Sequence, residues 1–137
     1  MLARDTQAFS ELARQPMVHA HALTLPGAAW AAAGATHPLG TDFAGYSALD
    51  PADLESDRLH EYGSRITAEL LGELMPFGTA TDVLQRIRPY VEAGANHAII
   101  YSVAGSLKPS LAAGAVVEQR RLMSGLKRLQ RGRLTRR

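Results

Sequence analysis

The sequence predicts an α/β fold that is mostly helical, with one or two parallel strands. Three observations carry this. In "GTATDVLQRIRPYVEAGA", Val83, Leu84, Ile87, Tyr90 and Val91 repeat at the spacing of a helix with one buried side. After a very short turn at Gly94, "HAIIYSV" runs as a nearly continuous apolar segment, the habit of a strand covered on both faces. A helix, a tight glycine turn and a buried strand together make an α/β crossover unit, with a short strand expected near Phe77.

The remaining elements follow in order. Asp5 is placed to cap "TQAFSELARQ", in which Phe9, Leu12 and Ala13 share a face, and Pro16 ends that run. "MVHAHALTL" is too short to assign by period. Pro26 suits the first turn of a helix over "PGAAWAAAG", with Gly34 just past its end and Trp30 turned to the core. Residues 35–49, "ATHPLGTDFAGYSAL", read as an ordered irregular loop, and loops of that length are often functional. Asp50 and Pro51 start a helix over "PADLESDRLHEY" that Gly63 terminates. A second helix, "SRITAELLGELM", is expected with Ser64 as its cap. Pro89 should kink the helix it interrupts, and "LAAGAVVEQRRLMSGLKRL" forms a final helix after the loop "AGSLKPS".

The chain has 137 residues, 46% of them apolar, enough for one domain with a core. It contains no cysteine, which excludes disulfides, thiolate nucleophiles and cysteine-bound metals and fits a cytoplasmic protein. No apolar run approaches the roughly 20 residues that span a bilayer, so no membrane is expected as a partner. The formal charge of +2 is unevenly spread. Residues 120–137 hold eight Lys and Arg and no acid, while residues 1–119 balance to 7 − 13 = −6. The basic C-terminal tail lacks an aromatic for base stacking, and Gly125 and Gly132 weaken it as a helix. It reads as a solvated or frayed terminus and not as a nucleic-acid arm.

"FGTATDVLQRIRPYVEAGANHAIIYSV" resembles the closing βαβ unit of the luciferase-like monooxygenase superfamily. Upstream, "LPGAAWAAAGATHPLGTDFAGY" is similar to a segment of its deazaflavin-dependent branch, of the phthiodiolone ketoreductase and methylenetetrahydromethanopterin reductase types, and "SLKPSLAAG" fits the same branch. Ala80 stands where that family usually places proline. The resemblance implies that residues 1–119 are the C-terminal part of a TIM-type (β/α)8 barrel, with residues 120–137 as a tail. It further implies an oxidoreductase that passes hydride between coenzyme F420 or FMN and a small-molecule substrate. A complete barrel needs about 250 residues, so the chain is expected to be a fragment, inactive alone and weak in coenzyme binding, with a homo-oligomer or a complementing N-terminal chain covering its open edges. The family's acid and base residues have no counterparts here, and catalytic residues are not assigned. An independent small module, α/β or mostly helical, interacting through its basic tail, is the alternative.

In such barrels phosphate sits at the loops after the last strands, held by backbone N–H groups and a helix N-terminus. The resemblance therefore makes Gly78, Thr79, Gly105 and Ser106 candidate coenzyme contacts, and His37 in "THPLG" a candidate for hydrogen bonding to the coenzyme or substrate. The plainer readings are that Gly78 only turns the chain, that Thr79 only caps a helix, and that His37 bonds nearby backbone. Trp30 and Phe43 read as core or wall. His19 and His21 share a face only on a strand and lack a third partner, so no metal is expected. Asp53 and Asp57 read as one solvated helix face.

Overall fold

Helix α1 (Thr6–Ala13) begins where Asp5 accepts a hydrogen bond from the Ala8 N–H at 2.9 Å, satisfying one of the donors that a helix start leaves open. Pro16 opens α2 (Pro16–Leu23) at its first position, where a missing N–H costs nothing. Helix α3 (Gly27–Ala32) follows Pro26 and closes on Gly34 at φ 76°. There the Ala35 N–H reaches back to the Trp30 carbonyl at 2.9 Å, a bond that a left-handed residue at this position makes possible. The segment "PADLESDRLHEY" is broken at Glu55 into a 3-10 turn (Pro51–Leu54), with Asp50 accepting from the Ala52 N–H, and α4 (Ser56–Gly63). Helix α5 (Ala68–Leu74) is capped by Thr67, because the Ser64 hydroxyl is already committed to the Glu61 carbonyl at 2.6 Å. Helix α6 (Ala80–Ala93) continues through Pro89. The carbonyl that Pro89 leaves unbonded belongs to Gln85, and both residues are exposed, so water can take the place of the missing donor. Helix α7 (Pro109–Leu134) is the longest. The structure, a computed structural model, describes residues 2, 3, 5–100 and 109–134.

The chain divides into two units, residues 1–9 with 76–137, and residues 10–75. In the first, α6 packs on α7 around Leu2, Ala80, Val83 and Leu122, with Leu84, Ile87, Ile100 and Leu126 around them. Gly125 lets α7 approach closely, since a Cβ there would overlap the Leu84 side chain. Phe9 meets Phe77 edge-on at 4.4 Å between centroids. In the second unit, α2 packs on α4, and the buried side chains include Leu12, Val18, Leu23, Trp30, Ile66 and Leu71.

The expected α/β fold, with parallel strands from the end of a TIM-type barrel, is not what forms. The described residues contain helices and 3-10 turns and no strand. Near Phe77 there is a single parallel bridge, Leu2 with Gly78, supported by one hydrogen bond from the Ala3 N–H to the Gly78 carbonyl at 2.8 Å. Of the expected strand "HAIIYSV", His97–Ile100 have no regular structure, and residues 101–103 lie outside the described residues. The physical reason is the lack of a ladder. A strand needs neighbours to take its N–H and C=O groups, and Ile99, which a doubly covered strand would bury, is 89% exposed. The C-terminal segment also departs from a frayed tail. Helix α7 runs to Leu134 because Leu122 and Leu126 anchor it on α6, a packing gain that outweighs two glycines at about 1 kcal/mol each.

Candidate functional site

Gly78 adopts φ 131°, and a Cβ there would meet the Asp82 carboxylate at 2.8 Å, so the turn requires glycine on two counts. Thr79 caps α6 in a reciprocal box. The Asp82 N–H donates to Thr79 Oγ1, and Asp82 Oδ2 accepts from both the Thr79 N–H (2.9 Å) and the Thr79 hydroxyl (2.7 Å). The next amide is held from α7: the Ala80 N–H donates to Glu118 Oε2 at 2.8 Å. The Glu118 side chain is only 3% exposed, and its other oxygen accepts from Arg121 Nη1 at 2.6 Å. Two carboxylates thus occupy the positive end of α6. A phosphate needs the same amides, and its negative charge would be set against Asp82 and Glu118. As arranged, the turn fits a helix start and does not fit a phosphate group. Gly105 and Ser106 lie outside the described residues.

His37 belongs to the other unit and is fully buried. Its Nδ1 accepts from the Leu39 N–H at 3.0 Å, which puts the ring proton on Nε2, 3.2 Å from the Leu23 carbonyl that takes it. The ring is stacked on Phe43 at 4.4 Å and meets the edge of Trp30 at 4.9 Å. Trp30 in turn donates from Nε1 to the Ala22 carbonyl at 3.1 Å. Burial pushes the imidazole pKa below its ordinary 6.5, against a smaller upward pull from the Leu23 carbonyl. With both nitrogens bonded to backbone, His37 fastens loop 35–45 to α2 and offers no free atom to a coenzyme. The loop is further tied by the Gly27 N–H, which donates to the Phe43 carbonyl at 2.9 Å.

The sequence reading missed a groove in the second unit of about 330 Å³, lined by Arg14, Pro16, His19, Leu59, His60, Gly63 and Ser64. His19 does lie on a helix, and its Nε2 meets the Ala13 carbonyl at 2.7 Å. The signal available in the sequence was no more than Arg14 and His19 on either side of Pro16, since the pairing of the arginines appears only in the structure. Among the described residues, no group of three His, Asp or Glu side chains could hold a metal, and no helix is long and apolar enough to cross a membrane.

By sequence the chain is related to oxidoreductases of the ketoreductase class. It is 30% identical over 129 residues, 92% of its length, to the phthiodiolone/phenolphthiodiolone dimycocerosates ketoreductases of Mycobacterium tuberculosis and Mycobacterium bovis, and equally to that of Mycobacterium kansasii. The match takes in 33% to 35% of those proteins, so the chain spans about one third of the length of the curated relatives it matches. No protein-family model matches the sequence, and no solved structure matches it.

Proposed function

We propose that this chain acts as one segment of a flavin- or deazaflavin-dependent oxidoreductase of luciferase-like type that reduces a carbonyl group, with coenzyme F420 or FMN as hydride source. The observation that carries the reading is the 30% identity over nearly the whole chain to ketoreductases about three times as long. A ketone reduction needs a hydride, which the coenzyme supplies, and a proton donor at the developing alkoxide. Neither His37, bonded at both nitrogens, nor Thr79, engaged with Asp82, is free for that donation. His37 and Thr79 therefore serve as scaffold in this reading, the proton donor belongs elsewhere in the enzyme, and Gly105 and Ser106 are the coenzyme contacts this segment would add.

The test is to read the DNA on both sides of the coding region and express the product of the longest continuous frame. That product is then assayed for ketone reduction with reduced F420 and reduced FMN, beside the present chain alone. The longer protein is expected to reduce a ketone with one coenzyme, and the present chain to show no saturable coenzyme binding. Frames closed on both sides, together with a chain that unfolds as a cooperative monomer, would overturn the reading in favour of an independent module.

A further inference from the structure

We propose that the groove bordered by Arg14, His19, His60 and Ser64 binds a small anion, a phosphate monoester or a carboxylate, with the ligand's apolar part against Pro16 and Leu59. The assignment stands independently of the oxidoreductase reading. Residues 10–75 hold three arginines against nine acids, a balance of 3 − 9 = −6, so cations there have ample carboxylates to pair with. Arg58 bonds Asp53 at 2.7 Å, and Arg65 lies 3.7 Å from Glu61. Among the described residues Arg14 makes no such pair, and it lines the groove. A second hollow of about 300 Å³, lined by Ser10, Ala13, Ile66 and Ala68, shares both Arg14 and His19 with the first, so the two side chains are reached from two openings.

The walls suit the same ligand. Arginine is always charged and presents paired donors matched to the two oxygens of a carboxylate or phosphate. His60 lines the same wall, while the Ser64 hydroxyl is given to the Glu61 carbonyl and His19 Nε2 to the Ala13 carbonyl, so Arg14 is the main donor to an anion there. His19 is held in position: Nε2 meets the Ala13 carbonyl, and Gly63 makes room for the ring, since a Cβ at 63 would lie 2.5 Å from Nδ1. Glu61, the nearest acid in sequence to this wall, is turned to Arg65. The volume is at the small end of the range for ligand sites, about 300–1,000 Å³, which fits a small metabolite.

The test is a nuclear magnetic resonance titration of the full 15N-labelled chain with inorganic phosphate and, separately, with acetate, at constant ionic strength. Saturable shifts are expected at the Arg14 side-chain Nε–H and at the Gly63 and Ser64 amides. Arg14→Gln should weaken binding about tenfold, the worth of one charge-assisted hydrogen bond, with the rest of the amide spectrum unchanged. Arg65→Gln should bind as the wild type does. Tighter binding of phosphate assigns a phosphate monoester, and tighter binding of acetate a carboxylate. Shifts that do not saturate, that centre on α7, or that fall equally in the two variants would overturn the proposal.

Discussion

Replacing Glu118 tests how the first unit is held together. In Glu118→Ala, the Ala80 N–H loses its acceptor 2.8 Å away in a site where the carboxylate is 3% exposed, and water has little access to replace it. A hydrogen bond to a charged group is worth about 1.5–3 kcal/mol, and a buried donor left unpaired costs about 1–3 kcal/mol. The same carboxylate sits at the positive end of α6, which adds some tenths of a kcal/mol or more. Two effects reduce the sum. Arg121 is 69% exposed, so its pairing contributes little, and removing a buried charge relieves its desolvation. The balance is a loss of about 2 kcal/mol. With a urea dependence near 2 kcal/mol per molar, the midpoint should fall by about 1 M. Glu118→Gln keeps an acceptor without the charge and should lose about half as much. The assay is urea unfolding followed by circular dichroism, with hydrogen exchange at the Ala80 amide as the local probe. An alanine variant with an unchanged midpoint and an unchanged Ala80 exchange rate would refute the reasoning.

Three further outcomes are expected. Gly125→Ala sets a helix-propensity gain of about 1 kcal/mol against crowding of Leu84 worth about 1–3 kcal/mol, so the single variant is destabilised. In a Leu84→Ala background the same change should be neutral or stabilising, and additive effects across the double-mutant cycle would dismiss the contact. Gly27→Ala drives a Cβ into the backbone carbonyls of Gly40 and Thr41, which cannot turn aside as a side chain can. It should cost more than Gly125→Ala in urea unfolding followed by Trp30 fluorescence. Because burial lowers the His37 pKa below its unfolded value of 6.5, the unfolded chain binds the extra proton first. Stability from this group is complete above pH 6.5 and is lost as pH falls through the lower, folded value. The Trp30-detected midpoint should drop from pH 7 to pH 5 more steeply in the wild type than in His37→Gln, and equal slopes would contradict the assignment.

Local chemistry made several elements legible. Asp5 caps where expected, Thr79 takes the cap that the sequence left open between it and Thr81, and Gly34 and Gly94 close helices with positive φ, because these bonds join residues a few positions apart; Asp50 caps only a 3-10 turn and not the long helix expected. The cap of α5 escaped for an equally local reason: Ser64 and Thr67 compete for one helix start, and the Glu61 carbonyl settles the contest by taking the Ser64 hydroxyl. The strand is a different kind of miss. An apolar run such as "HAIIYSV" has no helical or alternating period to fix its state, and a strand exists only with a partner. The described residues supply one bridge at Gly78 and leave Ile99 open to solvent.

The site divides in the same way. That Thr79 could cap was readable from its position, but the decisive bond to this helix start comes from Glu118, 38 residues further on, which no local pattern in "GTATD" announces. A glycine-threonine turn before a helix is equally suited to holding a phosphate or to being closed by the protein's own carboxylates. Here the chain supplies the anions itself, in Asp82 and Glu118, and the turn works as a joint between α6 and α7. His37 follows the same logic with the opposite polarity. A loop histidine between proline and aromatic residues suggests a binding wall, yet Leu23 and Leu39 take both ring nitrogens and make it a fastener. Arg14 is the reverse case, plain in the sequence and notable only because, among the described residues, the other two arginines of its unit pair with Asp53 and Glu61 and it does not, although the unit holds nine acids. The charge left over, more than any motif, points to where a ligand can act on the second unit.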